Sequence, residues 1–277
     1  MITTNIMGGL GNQLFQIFNV INYSFTHKVP FFFENKISTT KDRPFYWDNL
    51  LLSLRPFLKN MNSVNMPIYK EAGFHYSELI SYTNINRPFK FSGYFQSYKY
   101  FKSHETSIYR LIKIDEHKAN VSSKYTQYKF DQLVSLHFRI GDYKNFPQHH
   151  PLISIEYYIS SLQYVISLTG RDDWNILYFY EEVDIEMVRI NIDALQLKFK
   201  NLTFTPINTN IADYEQLLLM SLCQHNIIAN STFSWWGAYL NSNVSKIITY
   251  PSKWFGPALR IKNTTTLFPD EWHKIDV

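Results

Sequence analysis

The chain has 277 residues, 45% hydrophobic and 17% aromatic, with 22 Phe and 20 Tyr. That is too much apolar side chain for a disordered segment and enough length for two compact domains, each with its own core. A net charge of +4, spread along the chain, lacks the clustered Lys and Arg of a nucleic-acid footprint. Cys223 is the single cysteine, so no disulfide forms within the chain and a reducing compartment is the simpler expectation. No stretch approaches the roughly 20 apolar residues of a membrane-spanning helix. The opening MITTNIMGGLGNQ has neither the basic nor the apolar region of a signal peptide, so the expectation is a cytoplasmic or otherwise soluble protein without a membrane anchor.

In chain order, Thr3 to Met7 reads as a first strand, followed by a glycine-rich loop and a helix from Gln13 to His27. Val29 to Glu34 reads as a second strand, and a long irregular stretch rich in Pro, Asn and aromatics follows. Residues 116–129 are polar and poor in aliphatics, which marks a linker. The second half alternates. Strands are expected at Val134–Phe138, Ile176–Tyr180, Leu202–Phe204, Asn226–Ala229 and Lys246–Thr249, and helices at Ser154–Leu168, Asp184–Ala194, Asp213–Cys223 and Trp235–Leu240. Such alternation implies an α/β unit with a parallel sheet covered on both faces and ligands at the carboxyl ends of its strands. The division expected is a first domain over residues 1–120, a second over 130–255 and a tail over 256–277. No internal repeat or low-complexity tract stands out.

Three segments carry chemistry. In Leu136-His137-Phe138-Arg139-Ile140-Gly141-Asp142-Tyr143, a guanidinium stands beside a glycine turn just after an apolar strand. Arg suits an anion there, since its planar fork bonds two phosphate oxygens at once and keeps its charge when partly desolvated. In Asn230-Ser231-Thr232-Phe233-Ser234-Trp235-Trp236, a strand runs into hydroxyl side chains and the amides of a helix start, a second place for an anion. In Met7-Gly8-Gly9-Leu10-Gly11-Asn12-Gln13, three glycines allow a ligand close to the backbone.

Taken together, GGLGNQLFQ, YKEAGFHY, GYFQSYKYF, HFRIGDY and NSTFSWWGAYLN, in this order, resemble the α-1,2-fucosyltransferases of glycosyltransferase family 11. The resemblance covers nearly the whole chain. It implies a GT-B type fold, with two Rossmann-like domains facing a cleft, the first on the acceptor side and the second binding GDP-fucose. It also implies inverting, metal-independent transfer of L-fucose from GDP-β-L-fucose to a galactose-ended or related glycan, with GDP-fucose as co-substrate and no cofactor or metal. Arg139 is then expected to stabilise the departing diphosphate, with Asn230, Ser231, Thr232, Phe233 and Ser234 supplying further donors. Gly9, Gly11, Asn12 and Gln13 are expected near the donor, although Asn12 in that position also suits a helix cap. Glu71 and His75 are expected on the acceptor side. His137 and Asp142 join them as ionisable groups able to take the acceptor proton, while Asp142 is equally suited to holding Arg139 in place.

Some positions depart from the family pattern or point elsewhere. Ile140 stands where many members carry a second Arg, Tyr180-Glu181-Glu182 where Ser-Asp-Asp is frequent, and Gln216 where an Asp is common. Glu181-Glu182-Val183-Asp184 reads as a solvated helix start, and His149-His150 as a solvated loop. Two other classes fit fragments of the chain. Gly9-x-Gly11 after a strand, with Glu34 further on, partly mimics a dinucleotide-binding fingerprint, although Leu14 replaces its third glycine. A catalytically inactive glycan-binding protein of the same fold accommodates the departures at Ile140, Tyr180 and Gln216.

Overall fold

The computed structural model describes residues 1–35, 43–60 and 66–276. The chain divides into two compact units: Met1–His117 with Lys262–Pro269, and Lys118–Ile261 with Asp270–Val277. Both are α/β units built on parallel strands.

The first unit contains β1 (Ile2–Thr4), α1 (Leu10–His27), β2 (Phe33–Glu34), β3 (Leu58–Lys59), β4 (Ile68–Lys70), the short α2 (Tyr82–Ile85), β5 (Phe89–Ser92) and α3 (Glu105–Ile112). β5 lies at the centre of a three-stranded parallel sheet, paired with β1 on one side and β4 on the other. A bridge from Ile2 to Phe31 leads from β1 toward the β2–β3 pair. Leu14, Phe15, Ile17, Phe18 and Ile21 have no exposed surface, so α1 is apolar around most of its girth and sits inside the unit. It ends where Lys28 turns into the left-handed region at φ 53° and donates its N–H to the Ser24 carbonyl. Helix α1 starts three residues before the sequence expectation, at Leu10, because Gly9 already provides the extended residue that precedes a helix.

The second unit alternates as its sequence suggests. Its elements are α4 (Ile114–Lys124), within which the division of the chain falls, then β6 (Leu133–His137), α5 (Ile155–Thr169), β7 (Asn175–Phe179), α6 (Ile185–Lys198), β8 (Thr203–Pro206), α7 (Asp213–Leu222), β9 (His225–Ile227), α8 (Thr232–Tyr239), β10 (Ile248–Pro251) and β11 (His273–Ile275). The sheet order is β11-β10-β9-β6-β7-β8, all parallel. The first strand in the chain, β6, is therefore central: β7 and β8 follow on one side, β9 to β11 on the other. This is a doubly wound sheet whose direction of winding reverses between β6 and β9, and the crevice at that reversal is where such sheets bind ligands.

Buried polar groups hold that reversal in register. Asn226 Nδ2 donates to Ser135 Oγ at 2.7 Å, while Asn241 Nδ2 donates to Asn226 Oδ1 and to the Cys223 carbonyl, each at 2.8 Å. Tyr157 on α5 donates its hydroxyl to the carbonyls of Ile228 and Thr249. Each replaces water with a protein partner, without which burial of these amides would be costly.

Two expectations are corrected. The stretch read as a linker is helical as far as Lys124: Lys118 is buried, and its ammonium donates to the Leu240 carbonyl at 2.9 Å and to Ser242 Oγ at 3.0 Å. The stretch read as a tail holds β11, which adds an edge to the second sheet, while Lys262–Pro269 belongs to the first unit. In both places polar sequence concealed ordered backbone.

Candidate functional site

In the second unit, Arg139 follows the carboxyl end of β6, two residues past His137. Its Nη1 donates to Glu181 Oε1 and its Nη2 to Asp142 Oδ1, and its guanidinium lies 4.8 Å above the centre of the Tyr143 ring. Burial opposes its charge, but Glu181, Tyr143 and Asp142 outweigh burial and hold its pKa above the usual value. Gly141 makes the turn possible. Its φ is +34°, and a Cβ there would meet Arg139 Nη1 and Glu181 Oε2 at 3.0 Å. The Gly141 N–H donates to Asp184 Oδ2 at 2.6 Å, and Lys144 Nζ pairs with the other Asp184 oxygen at 3.1 Å. Two cations and three carboxylates thus meet where β6 and β7 end.

The acidic run 181–184 leads into α6 with Glu181 and Glu182 exposed, as a solvated helix start does, but its carboxylates also hold specific partners. Asp184 is buried and fastens the turn that carries Arg139, Glu181 pairs with Arg139, and Glu182 accepts a hydrogen bond from Thr209. His150 likewise stacks on Tyr143 with ring centres 4.5 Å apart. A single sequence gives no signal for the roles of Glu181, Glu182 and Asp184, since each meets a partner from a different βα loop. Ile140, in the place of a second Arg, is buried in the core of this unit. Tyr180 packs beside Tyr178, and Gln216 donates to the Ile211 carbonyl at 2.8 Å.

Asn230 to Ser234 lie beyond β9, next to β6, so the sheet brings both expected anion segments of this unit to one end. The Tyr143 hydroxyl donates to the Asn230 carbonyl at 3.2 Å, and the His137 and Phe233 rings have centres 5.7 Å apart. Several side chains here serve the loop itself. Asn230 Nδ2 donates to the carbonyls of Pro151 and Trp254, Ser231 Oγ caps α8 by accepting from Phe233 N, and Ser234 Oγ donates back to Ala229 and Ser231 carbonyls. Asn230 Oδ1 and His137 Nδ1 are buried without a hydrogen-bond partner. Thr232 opens α8 and is half-buried. Burial, with Arg139 close by, lowers the His137 pKa to about 3. The ring is therefore held neutral at physiological pH.

In the first unit, the expected residues gather at the corresponding end of its sheet, after β1, β4 and β5. Gly8, at φ +84°, makes the turn, Gly9 precedes α1, and Gly11 is buried inside the first helical turn rather than in a loop. Asn12 does not cap the helix; its Oδ1 accepts from Gln96 Nε2 at 2.8 Å. Gln13 Nε2 donates to the carbonyls of Gly8 and Pro44, leaving its buried Oε1 without a partner. Gln16, which sequence reasoning passed over, clamps both backbone groups of Met7. Glu71 accepts from Tyr94 N at 2.8 Å and Phe95 N at 2.9 Å, one bond to each oxygen, and so holds the turn where Phe95 takes φ 53°. Burial raises the Glu71 pKa despite these bonds and the nearby Lys262. Glu71 is thus a structural clamp on the loop after β5, while His75 is exposed. Glu34 pairs with Lys90 at 3.6 Å, which engages the carboxylate that a dinucleotide reading needs for a ribose.

Among the described residues no group of three or more His, Cys, Asp or Glu is arranged to hold a metal ion, and no helix is long and apolar enough to cross a membrane. Cys223 is buried, and burial raises its thiol pKa, so it is an inert core residue.

The second unit is thus a doubly wound α/β sheet with a guanidinium and a helix start at its winding reversal, where such sheets bind ligands. The description of Glycosyl transferase family 11 matches residues 1–276, and the chain belongs to that family. Among characterised relatives, the O-antigen biosynthesis glycosyltransferase WbnK of Escherichia coli is 32% identical over 190 residues, covering 65% of this chain and 58% of that protein. An α-1,2-colitosyltransferase of Escherichia coli is 28% identical, covering 68% of this chain and 62% of that protein. The chain thus spans about three fifths of the length of these two relatives. A galactoside 2-α-L-fucosyltransferase of Caenorhabditis elegans is 27% identical, covering 99% of this chain and 79% of that protein. Among solved structures, a family 9 glycosyl transferase from Veillonella parvula superposes with a TM-score of 0.48 at 12% identity, covering 100% of this chain and 86% of that one. POFUT1 in complex with GDP-fucose also gives 0.48, at 10% identity, covering 90% and 97%.

Proposed function

We propose that this protein is an inverting, metal-independent α-1,2-fucosyltransferase that moves L-fucose from GDP-β-L-fucose to a hydroxyl of a galactose-ended glycan. The observation that carries the reading is the position of Arg139 at the winding reversal of the second unit, beside the α8 helix start, in a chain of this family. The names of the colitosyl- and fucosyltransferase relatives support a 6-deoxy sugar and a 1,2 linkage.

In this reading Arg139 and the first amides of α8 bind the diphosphate. The acceptor oxygen forms a bond to the anomeric carbon as the bond from that carbon to the β-phosphate oxygen breaks on the opposite face. The acceptor hydroxyl's proton passes to water or to the departing diphosphate. Negative charge grows on the phosphate, and preorganised donors aimed at developing charge are usually the largest catalytic contribution. Asp142 orients Arg139, and His137 serves as a neutral hydrogen-bonding ring beside the phosphates. The donor site needs no cofactor, because a guanidinium does the neutralising.

The test is incubation with GDP-fucose and a β-galactoside in excess chelator, with product linkage read by NMR. An α-1,2-fucosyl product supports the reading. Saturable galactoside binding that GDP does not alter, without transfer, replaces it with an inactive glycan binder.

A further inference from the structure

The guanidinium assigned to the diphosphate is already engaged. One of its outer nitrogens donates to Glu181 and the other to Asp142, so the fork that would grip two phosphate oxygens is filled by carboxylate oxygens. With three carboxylates around two cations, an approaching anion meets repulsion unless one carboxylate leaves. The two paired with Arg139 are not equivalent. Asp142 lies three residues away in the same turn, so the backbone keeps it beside Arg139. Glu181 comes from the neighbouring strand's loop, has a longer side chain, and is 53% exposed, so its carboxylate can turn into water with little change in solvation. Its main chain stays fixed, since its carbonyl accepts the Asp184 N–H at 2.9 Å. The missing side chain at Gly141 leaves the room in which Glu181 and Arg139 meet.

We propose that Glu181 is an exchangeable counter-ion that yields Arg139 to the ligand's diphosphate and takes it back as the nucleoside diphosphate departs. This rests on the donor-site reading of Arg139. Glu181 then weakens the phosphate-dependent part of affinity and favours product release, a positioning role exerted through Arg139 rather than through contact with the sugar. A carboxylate at the end of the second strand of a doubly wound sheet has a known alternative use, hydrogen bonding to ribose hydroxyls. The two uses predict opposite effects of neutralising Glu181.

The experiment is calorimetric titration of the full chain with GDP, guanosine and inorganic pyrophosphate, for wild type, Glu181→Gln, Arg139→Ala and the double variant, with thermal melting to verify folding. Removing a competing half-exposed ion pair is expected to tighten GDP and pyrophosphate on the order of 3- to 10-fold. Guanosine affinity should stay unchanged, and the gain should vanish in the Arg139→Ala background. Unchanged GDP affinity in Glu181→Gln overturns the exchange and leaves the donor reading standing, and weaker GDP binding overturns it in favour of a ribose contact. If GDP fails to bind wild type while pyrophosphate still tightens in Glu181→Gln, the donor reading falls and the exchange survives.

Discussion

Asp184→Ala is the sharpest test of how the Arg139 turn is held. Asp184 is 3% exposed, accepts the Gly141 N–H at 2.6 Å and pairs with Lys144 at 3.1 Å. Truncation leaves a buried N–H without a partner and removes a charge-assisted bond. Losses of this kind cost about 1–3 kcal/mol each. The Lys144 pair adds less, because its side chain is 45% exposed and water screens it. The expected loss is therefore about 3 kcal/mol, or about 6–12 °C in the melting midpoint of a unit this size. Asp184→Asn keeps an acceptor oxygen for Gly141 and should lose about 1 kcal/mol or less. Urea unfolding and calorimetry of both variants measure this, with GDP titration as the functional readout, in which the Ala variant should bind more weakly. An Ala variant within about 0.5 kcal/mol of wild type would refute the reasoning, since the Gly141 turn would then be held by other means.

Gly141→Ala forces a residue with a Cβ into φ +34° and against Arg139 and Glu181, so it should weaken phosphate binding at least 10-fold at modest stability cost; binding near wild type by calorimetry would show that the turn yields freely. Glu71→Ala leaves the Tyr94 and Phe95 amides unbonded at a left-handed residue and should destabilise by about 2–4 kcal/mol, and an unfolding curve like wild type's would mean the loop is held elsewhere. Burial holds the folded-state pKa near 3 for His137 and near 4 for His225, against 6.5 unfolded. The unfolded chain therefore binds more protons below pH 6.5, and the stability from these neutral rings is complete above that value and lost as pH falls toward 4 and then 3. The loss is at most ~1.4 kcal/mol per pH unit for each histidine. Urea midpoints that stay level from pH 7 to pH 5 would contradict this.

The sheet of the second unit was legible in its sequence because parallel strands buried on both faces read as short apolar runs, as in Val134 to Phe138 and Asn226 to Ala229. Arg139 was legible because a cation after such a run, before a glycine, lies at a strand's carboxyl end. Its partners Glu181 and Asp184 were not, since a charge run at a helix start looks the same whether it faces water or a neighbouring loop. β11 was hidden because its three residues, His273-Lys274-Ile275, form a polar edge with no periodicity to read. In the first unit the glycine loop stood out, but Gln16 and Glu71 act through backbone groups distant in sequence, and a hydrogen bond to backbone leaves no trace in the partner's identity. Ile140 illustrates the reverse: its identity suggested a lost charge, while its burial shows a core position.

The central claim is that Arg139 stabilises a departing nucleoside diphosphate. The most direct measurement is the rate of GDP release from GDP-fucose in the presence of a β-galactoside and excess chelator, for wild type, Arg139→Lys and Arg139→Ala. Metal-independent turnover that falls at least ~100-fold in the Ala variant and is only partly restored by Lys is the predicted result; turnover in Arg139→Ala equal to wild type would contradict the account.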